Sequence, residues 1–256
     1  MSKKCKKDQY YTKNEVARHY SQIVINRYGK DNIYVEPSAG TGAFAVNFDN
    51  IICYDIEPKF EGCLCSNFMD VVLSENQIVV GNPPFGFAGS LAVKFFNHAA
   101  KYKVKAVCFI FPKSFKKNSL QNRLDLNYNL VYQEDVPKKS FVFDEQEYDV
   151  PCVFQIWELG TPRKFYVPPE NTYFDVCNKE VADLAIRRVG GKAGKVLDGL
   201  EHNENSTYFV KSKVDNLKEK LDNVYADLKE VASDTAGVRS ISVSEIVECL
   251  NKGEKN

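Results

Sequence analysis

The chain has 256 residues, with 34 basic and 34 acidic side chains and so no formal net charge. That balance gives no long-range field toward or away from nucleic acid, and the length allows one large domain or one domain with a small appendage. No apolar run reaches the length of a membrane span, and the start Met1–Lys7 lacks the apolar segment of a signal peptide, so a cytoplasmic chain without a transmembrane segment is expected.

Eight cysteines are scattered, and only Cys63 and Cys65 lie close together, without a second pair at zinc spacing. Reduced thiols and no metal are expected. Basic residues cluster locally at Lys3–Lys7, at Lys113, Lys116 and Lys117, at Lys138-Lys139, and from Arg187 to Lys195. Oligomeric state is not legible.

Thr12 with Glu15 three residues on has the form of a capping box, which predicts a helix from there to about Arg27. Val16, Tyr20, Ile23, Val24 and Tyr28 give it one apolar face. The short apolar strand Ile33–Val35 feeds Glu36-Pro37-Ser38-Ala39-Gly40-Thr41-Gly42, and a helix is expected after the glycines. A strand, a turn with two close glycines and a helix make a nucleotide-loop arrangement, although Gly-Thr-Gly by itself is equally a plain turn. The next strand, Ile51–Tyr54, ends in Asp55-Ile56-Glu57-Pro58. A carboxylate at that strand tip can accept hydrogen bonds from both hydroxyls of a ribose. Two solvated acids before a turn proline would look the same. In Ser66–Asp70, a polar side chain at Asn67 and the aromatic Phe68 could hold an adenine ring.

Ile78–Val80 then runs into Gly81-Asn82-Pro83-Pro84-Phe85-Gly86. Two prolines forbid continuation of strand or helix. The chain therefore presents an amide, backbone carbonyls and an aromatic ring at the strand's carboxyl end, where open α/β sheets bind ligands. An amide oxygen and a carbonyl together can accept both hydrogens of a planar amino group while the ring stacks on the base that carries it. That suits methylation of an exocyclic amine; a Pro-Pro turn with Asn82 bonding its own backbone is the structural alternative.

Ser90–Ala100 has helical spacing and includes His98, read as a packed residue. It leads to the strand Ala106–Phe111. Pro112–Lys117 lies at the same sheet edge as Asn82, as a phosphate contact or a solvated loop. Strands near Asn129–Gln133 and Cys152–Glu158 complete a seven-stranded count. The loop Val136–Val150 between them mixes Lys138-Lys139 with Phe141 and Phe143, which suits either a flap over a flipped base or a packed hairpin. Pro162, Pro168 and Pro169 mark a linker. Residues 170–256 then read as a small module: strands Leu184–Val189 and Tyr208–Lys211, one amphipathic helix Leu217–Val231, and a last helix capped by Ser242 and Glu245. Its basic stripe, Arg187, Arg188, Lys192 and Lys195, either grips a target or is solvated.

Glu36-Pro37-x-Ala39-Gly40-x-Gly42, Asp55-Ile56-Glu57-Pro58, Asn67-Phe68 and Asn82-Pro83-Pro84-Phe85 stand in an order and spacing that resembles the class I S-adenosylmethionine-dependent amino-methyltransferases, in particular the N6-adenine branch. Tyr11-Thr12-x-x-x-Val16-Ala17 is similar to the branch's N-terminal segment that folds over the methionine end of the cofactor. The resemblance covers residues 8 to about 160. It implies an α/β fold, a Rossmann-like seven-stranded methyltransferase sheet with helices on both faces, over residues 8–160, and a small α+β module for target recognition over 170–256. It further implies S-adenosyl-L-methionine as cofactor, with Tyr11, Thr12, Glu36, Pro37, Ala39, Gly40 and Gly42 around the methionyl part. Asp55 and Ile56 would hold the ribose, and Asn67 and Phe68 the adenine; Asn67 stands where aspartate is commoner. Asn82, Pro83, Pro84 and Phe85 would be catalytic, Asn82 also touching the cofactor. Phe85, Lys113, Lys116, Lys117, Lys138, Lys139, Arg187 and Arg188 would bind the nucleic-acid substrate. The N-terminal segment, motif order and appended module tip the expectation toward DNA. The alternatives are RNA adenosine methylation, methylation of a protein glutamine amide, and a non-catalytic scaffold that has kept the fold.

Overall fold

The structure, a computed structural model, describes residues 10–254. The basic cluster Lys3–Lys7 and the start of the expected 8–160 domain lie outside the described residues. The chain divides into two compact units, residues 1–166 and 167–256. The division lies within the stretch between the expected 8–160 and 170–256 segments. Arg163 donates to the carbonyls of Tyr128, Gln121 and Leu124, and Asn122 bonds both the N–H and the carbonyl of Tyr166, so this stretch is fastened to the first unit.

In the first unit, β1 (Tyr11–Thr12) precedes α1 (Asn14–Tyr28), followed by β2 (Tyr34–Glu36), β3 (Ile51–Asp55), β4 (Leu64–Cys65) and β5 (Ile78–Gly81). Then come α2 (Ser90–Lys101), β6 (Ala106–Pro112), the single turn α3 (Asn118–Gln121), β7 (Tyr128–Asp135), β8 (Phe141–Phe143), β9 (Gln146–Tyr148) and β10 (Cys152–Leu159). Seven strands form one sheet in the order β4-β3-β2-β5-β6-β10-β7. The pairs from β4 to β6 are parallel, and β10 is antiparallel to both of its neighbours. Strand order reverses between β2 and β5, which creates a crevice at their carboxyl ends. Those ends are Glu36-Pro37 and Gly81-Asn82.

β5 and β6 are apolar and buried at every position because both faces of the sheet are covered there. Along β6, Val107, Phe109 and Phe111 pack into one core, while Ala106, Cys108 and Ile110 pack into the other. Period-two alternation sends neighbouring residues to opposite faces. α1 covers the second face with Val16, Ala17, Tyr20 and Val24, and the Tyr20 ring stacks on Phe154 at 4.2 Å between centroids. α2 covers the first with Ala92, Val93, Phe95, Phe96 and Ala99. Each buried aromatic contributes on the order of 1.5–3 kcal/mol by area, so Phe154→Ala would open a void under α1.

Two expectations are corrected in this unit. The residues after Gly42 form only a short 3-10 turn, Ala45–Asn47, not a helix. Just eight residues separate Gly42 from β3, too few for a crossover helix and its loops. Thr12 and Glu15 do not cap α1: the N-cap is Lys13 and has no side-chain cap. Thr12 instead lies in β1, which pairs with β8, so its backbone is extended and its hydroxyl is directed elsewhere. β1, β8 and β9 make a separate three-stranded sheet, the packed hairpin alternative for the Val136–Val150 loop. His98 is packed as expected, between the rings of Phe68 and Tyr102, with its Nε2 at 2.9 Å from the Val71 carbonyl.

The second unit holds β11 (Phe174–Val176), β12 (Leu184–Arg187), β13 (Val196–Leu197) and β14 (Thr207–Ser212), then α4 (Leu217–Asn223), α5 (Tyr225–Ser233) and α6 (Val243–Gly253). Its antiparallel sheet runs β11-β14-β12-β13. The single helix expected over 217–231 is two helices, broken at Val224, whose backbone (φ −97°, ψ 9°) leaves the helical region. Leu221, Val224 and Leu228 all face one core. Ser242 and Glu245 form the expected capping box. Among the described residues, no helix is long and apolar enough to cross a membrane.

Candidate active site

The crevice at the strand-order reversal is a cleft of about 1220 Å³, counted out to its open mouth. Its lining brings together Tyr11, Thr12, Glu36, Pro37, Ala39, Gly40, Asp55, Ile56, Asn67, Phe68 and the whole run Asn82–Phe85. Residues spread over 75 sequence positions therefore meet in one place. Gly42 sits just behind the lining.

Asn82 is the best-determined side chain in the cleft. Its Nδ2 donates to the Thr12 hydroxyl at 3.1 Å and lies 3.4 Å from the Tyr10 carbonyl. A carbonyl can only accept, so the amide nitrogen must face β1 and the amide oxygen the other way. That oxygen is buried and has no hydrogen-bond partner among the described residues. The backbone carbonyl of Asn82 accepts from the Ser38 hydroxyl at 3.2 Å, which pins the motif to the glycine loop.

Glu36 is 2% exposed, and one of its carboxyl oxygens also has no partner. Burial raises its pKa well above the ordinary carboxylate value, against a lowering contact from the Ala45 N–H, while the Asp55 charge raises it further. Gly81 lies over it: a Cβ there would meet Glu36 Cγ at 3.3 Å. Asp55 accepts from the Gly40 N–H and the Glu57 N–H, both at 2.8 Å, and so ties the glycine loop to the tip of β3. Gly40 has φ +54°, and the Tyr11 ring occupies the space where its Cβ would point. Gly42 has φ +83° with the Phe60 ring in that position. Both glycines are required by backbone and space together.

Other expected site residues are placed differently. Asn67 caps the turn Phe68–Asp70, its side-chain oxygen accepting from the Met69 N–H at 3.2 Å. Phe68 is 1% exposed, its ring stacks on Phe95, and it lines the cleft. Ile56, by contrast, is an exposed apolar side chain on the cleft wall. Lys113 and Lys116 bond Asp135 at 2.8 and 3.3 Å, and Asp135 is held below the usual carboxylate range: burial raises it, and the two lysines outweigh that. Lys138 and Lys139 are exposed on the hairpin, and Lys139 pairs with Glu147. In the other unit, Arg187 bonds the Ser206 hydroxyl at 2.8 Å and Arg188 lies 5.7 Å over the Tyr208 ring.

Sequence reasoning passed over three participants. Tyr10 orients Asn82 through its backbone, which no side-chain pattern reveals. Ser38 occupied a variable position between motif residues. Lys59 donates to the Tyr11 hydroxyl at 2.6 Å across the glycine loop; its place right after Pro58 was the available signal.

The strand order with one antiparallel strand next to last settles the architecture. It is a Rossmann-like seven-stranded sheet with the strand order of the methyltransferase fold. Residues 46–169 match the EDM2 methyltransferase-like domain. Solved structures with a similar fold include a candidate RNA methyltransferase from Pyrococcus horikoshii, 14% identical, with a TM-score of 0.48 over 62% of this chain and 90% of that one. A candidate class I S-adenosylmethionine-dependent methyltransferase from Listeria monocytogenes is 12% identical, with a TM-score of 0.44 over 62% of each chain. A tRNA methyltransferase from M. jannaschii is 18% identical, with a TM-score of 0.42 over 60% of this chain and 52% of that one. The chain thus spans about half the length of that last protein. No curated protein matches. Among the described residues, no group of histidine, cysteine and acidic side chains is arranged to hold a metal.

Proposed function

We propose that the chain transfers a methyl group from S-adenosylmethionine to the N6 amino group of adenine in nucleic acid. The observation that carries this reading is the Asn82 amide oxygen, buried and unpartnered beside Phe85. An unsatisfied buried acceptor costs about 1–3 kcal/mol, so the site favours a ligand that brings an N–H. An exocyclic amine does so; a ring nitrogen bearing only a lone pair does not.

The cofactor fits the residues present. Glu36 keeps an unpartnered oxygen for the methionyl end, Asp55 has lone pairs left for ribose hydroxyls, and Ile56 offers an apolar surface to a planar ring. When bound, S-adenosylmethionine supplies a methyl group on a positively charged sulfur that keeps the C–S electrons as the methyl leaves. Asn82 Oδ1 and the Pro83 carbonyl accept the two N6 protons, which draws the nitrogen toward tetrahedral geometry and frees its lone pair for in-line attack. Thr12 and Tyr10 hold the amide in the orientation this requires. The N–H proton becomes acidic only after alkylation and then passes to solvent, so no strong base is needed. Phe85 stacks on the base, worth roughly 1–3 kcal/mol by analogy with single-strand platforms. A duplex adenine has to be flipped out first, at a cost of a few kcal/mol.

The N-terminal segment seated beside Asn82 and the appended second unit support DNA as the first substrate to try, with RNA as the alternative. Purified protein incubated with labelled cofactor and separate DNA, RNA and protein pools should label a nucleic acid, and digestion should yield N6-methyladenine. Asn82→Ala should lower turnover by about a hundredfold or more with cofactor affinity nearly intact. Label in the protein pool would replace the reading with amide methylation. No label in any pool would favour the scaffold alternative.

A further inference from the structure

Directly after the Asn82–Phe85 run, Gly86-Phe87-Ala88-Gly89 makes a bend that the cleft does not account for. Phe87 is 93% exposed, the most exposed large apolar side chain among the described residues. Phe85, two residues earlier, lines the cleft; Phe87 is not part of that lining. Two residues span at most about 7 Å, so the two rings are neighbours along the chain but face different surroundings.

The bend is held firmly in this form. Gly86 and Gly89 have φ of +66° and +72°, and a Cβ on either would meet Leu91 Cβ at 2.8 Å or the Phe115 ring at 2.5 Å. Ala88, between them, also has a left-handed backbone (φ +49°), which costs a residue with a Cβ stability. Its carbonyl accepts from Arg123 Nη1 at 2.7 Å, and the Phe85 carbonyl accepts from the Leu91 N–H at 2.9 Å. The anchored bend holds the Phe87 ring in water, where a partner's apolar surface can cover it. Arg123 grips the bend itself, and Phe115, beneath Gly89, belongs to the segment whose Lys113 and Lys116 pair with Asp135. An exposed flat ring two residues from the proposed base-stacking Phe85 offers a face on which a second base of a single strand can stack.

We infer that Phe87 is a second stacking platform, which receives the base next to the target adenine and so selects an unpaired strand around it. This inference rests on the proposed function for the identity of the target. The test uses the full chain and a single-stranded oligonucleotide with one adenine, alongside copies made abasic at either neighbour of that adenine. Binding is read by fluorescence anisotropy, without turnover, and methylation is read separately. Phe87→Ala should weaken binding of the intact oligonucleotide by about 5- to 100-fold, and Phe87→Trp should restore it. The wild-type protein should lose a similar factor when one neighbour is abasic, whereas Phe87→Ala should be indifferent to that change. The turnover rate at saturating oligonucleotide should stay within about twofold of wild type. Equal affinity of Phe87→Ala and wild type for the intact strand, or equal sensitivity to the abasic neighbour, overturns the platform. Because binding is read without chemistry, failure to methylate adenine would retire the proposed function while the affinity comparison still decides the role of Phe87.

Discussion

Thr12→Val isolates the orientation of Asn82 from its presence. The substitution is nearly isosteric and removes the side-chain acceptor that Asn82 Nδ2 has at 3.1 Å, leaving, among the described residues, the longer 3.4 Å contact to the Tyr10 carbonyl. A neutral hydrogen bond of this kind contributes about 0.5–1.5 kcal/mol net. If that energy holds the amide oxygen toward the substrate, its loss lowers the population of the competent rotamer. Turnover should then fall by about 2- to 13-fold, since 1.36 kcal/mol is tenfold in rate. The Asn82→Ala loss should be larger by an order of magnitude or more, because it removes the acceptor itself. Single-turnover methylation at saturating cofactor and oligonucleotide measures both, and circular dichroism confirms that the variant folds. Wild-type turnover in Thr12→Val, beside an inactive Asn82→Ala, would show that the amide needs no external orientation. A Thr12→Val loss as deep as that of Asn82→Ala would give Thr12 a direct role instead.

Three further outcomes follow from the geometry. Asp55→Ala should weaken S-adenosylmethionine binding by roughly 1.5–3 kcal/mol, the range for hydrogen bonds to a charged group, and unchanged affinity by calorimetry would remove the ribose assignment. Glu36 has its folded pKa raised by burial, so the folded state holds a proton that the unfolded state releases above the ordinary value of 4.5. Its contribution to stability is fully present below that pH and is lost as pH rises through the raised folded value; cofactor-free protein should therefore melt lower as pH climbs, and Glu36→Gln should flatten the profile in thermal melts. Neutralising Arg187, Arg188 and Lys192 together should weaken nucleic-acid binding and lower its salt slope by about one unit per lost phosphate contact, with cofactor affinity unchanged; a slope equal to wild type at every ionic strength would leave these side chains as solvated surface.

Some of this was determined by the sequence alone. Residues that punctuate the backbone declare themselves locally: Pro83 and Pro84 end β5 whatever surrounds them, and Gly40 and Gly42 mark a left-handed loop because only they tolerate it. Apolar runs such as Ala106–Pro112 announce a strand buried on both faces. Those signals were enough for the sheet, the cleft-lining motifs and the separate second unit. Tertiary structure alone decided how the polar groups are paired. Thr12 and Glu15 had the spacing of a helix cap, but pairing of β1 with β8 holds Thr12 extended and delivers its hydroxyl to Asn82, 70 residues away. The core stacks the Phe68 ring on Phe95 at the cleft wall, and β7 brings Asp135 to Lys113 and Lys116. Backbone preference is fixed within a few residues. The partner of a polar side chain is fixed by whichever distant strand packs beside it, and no local pattern encodes that.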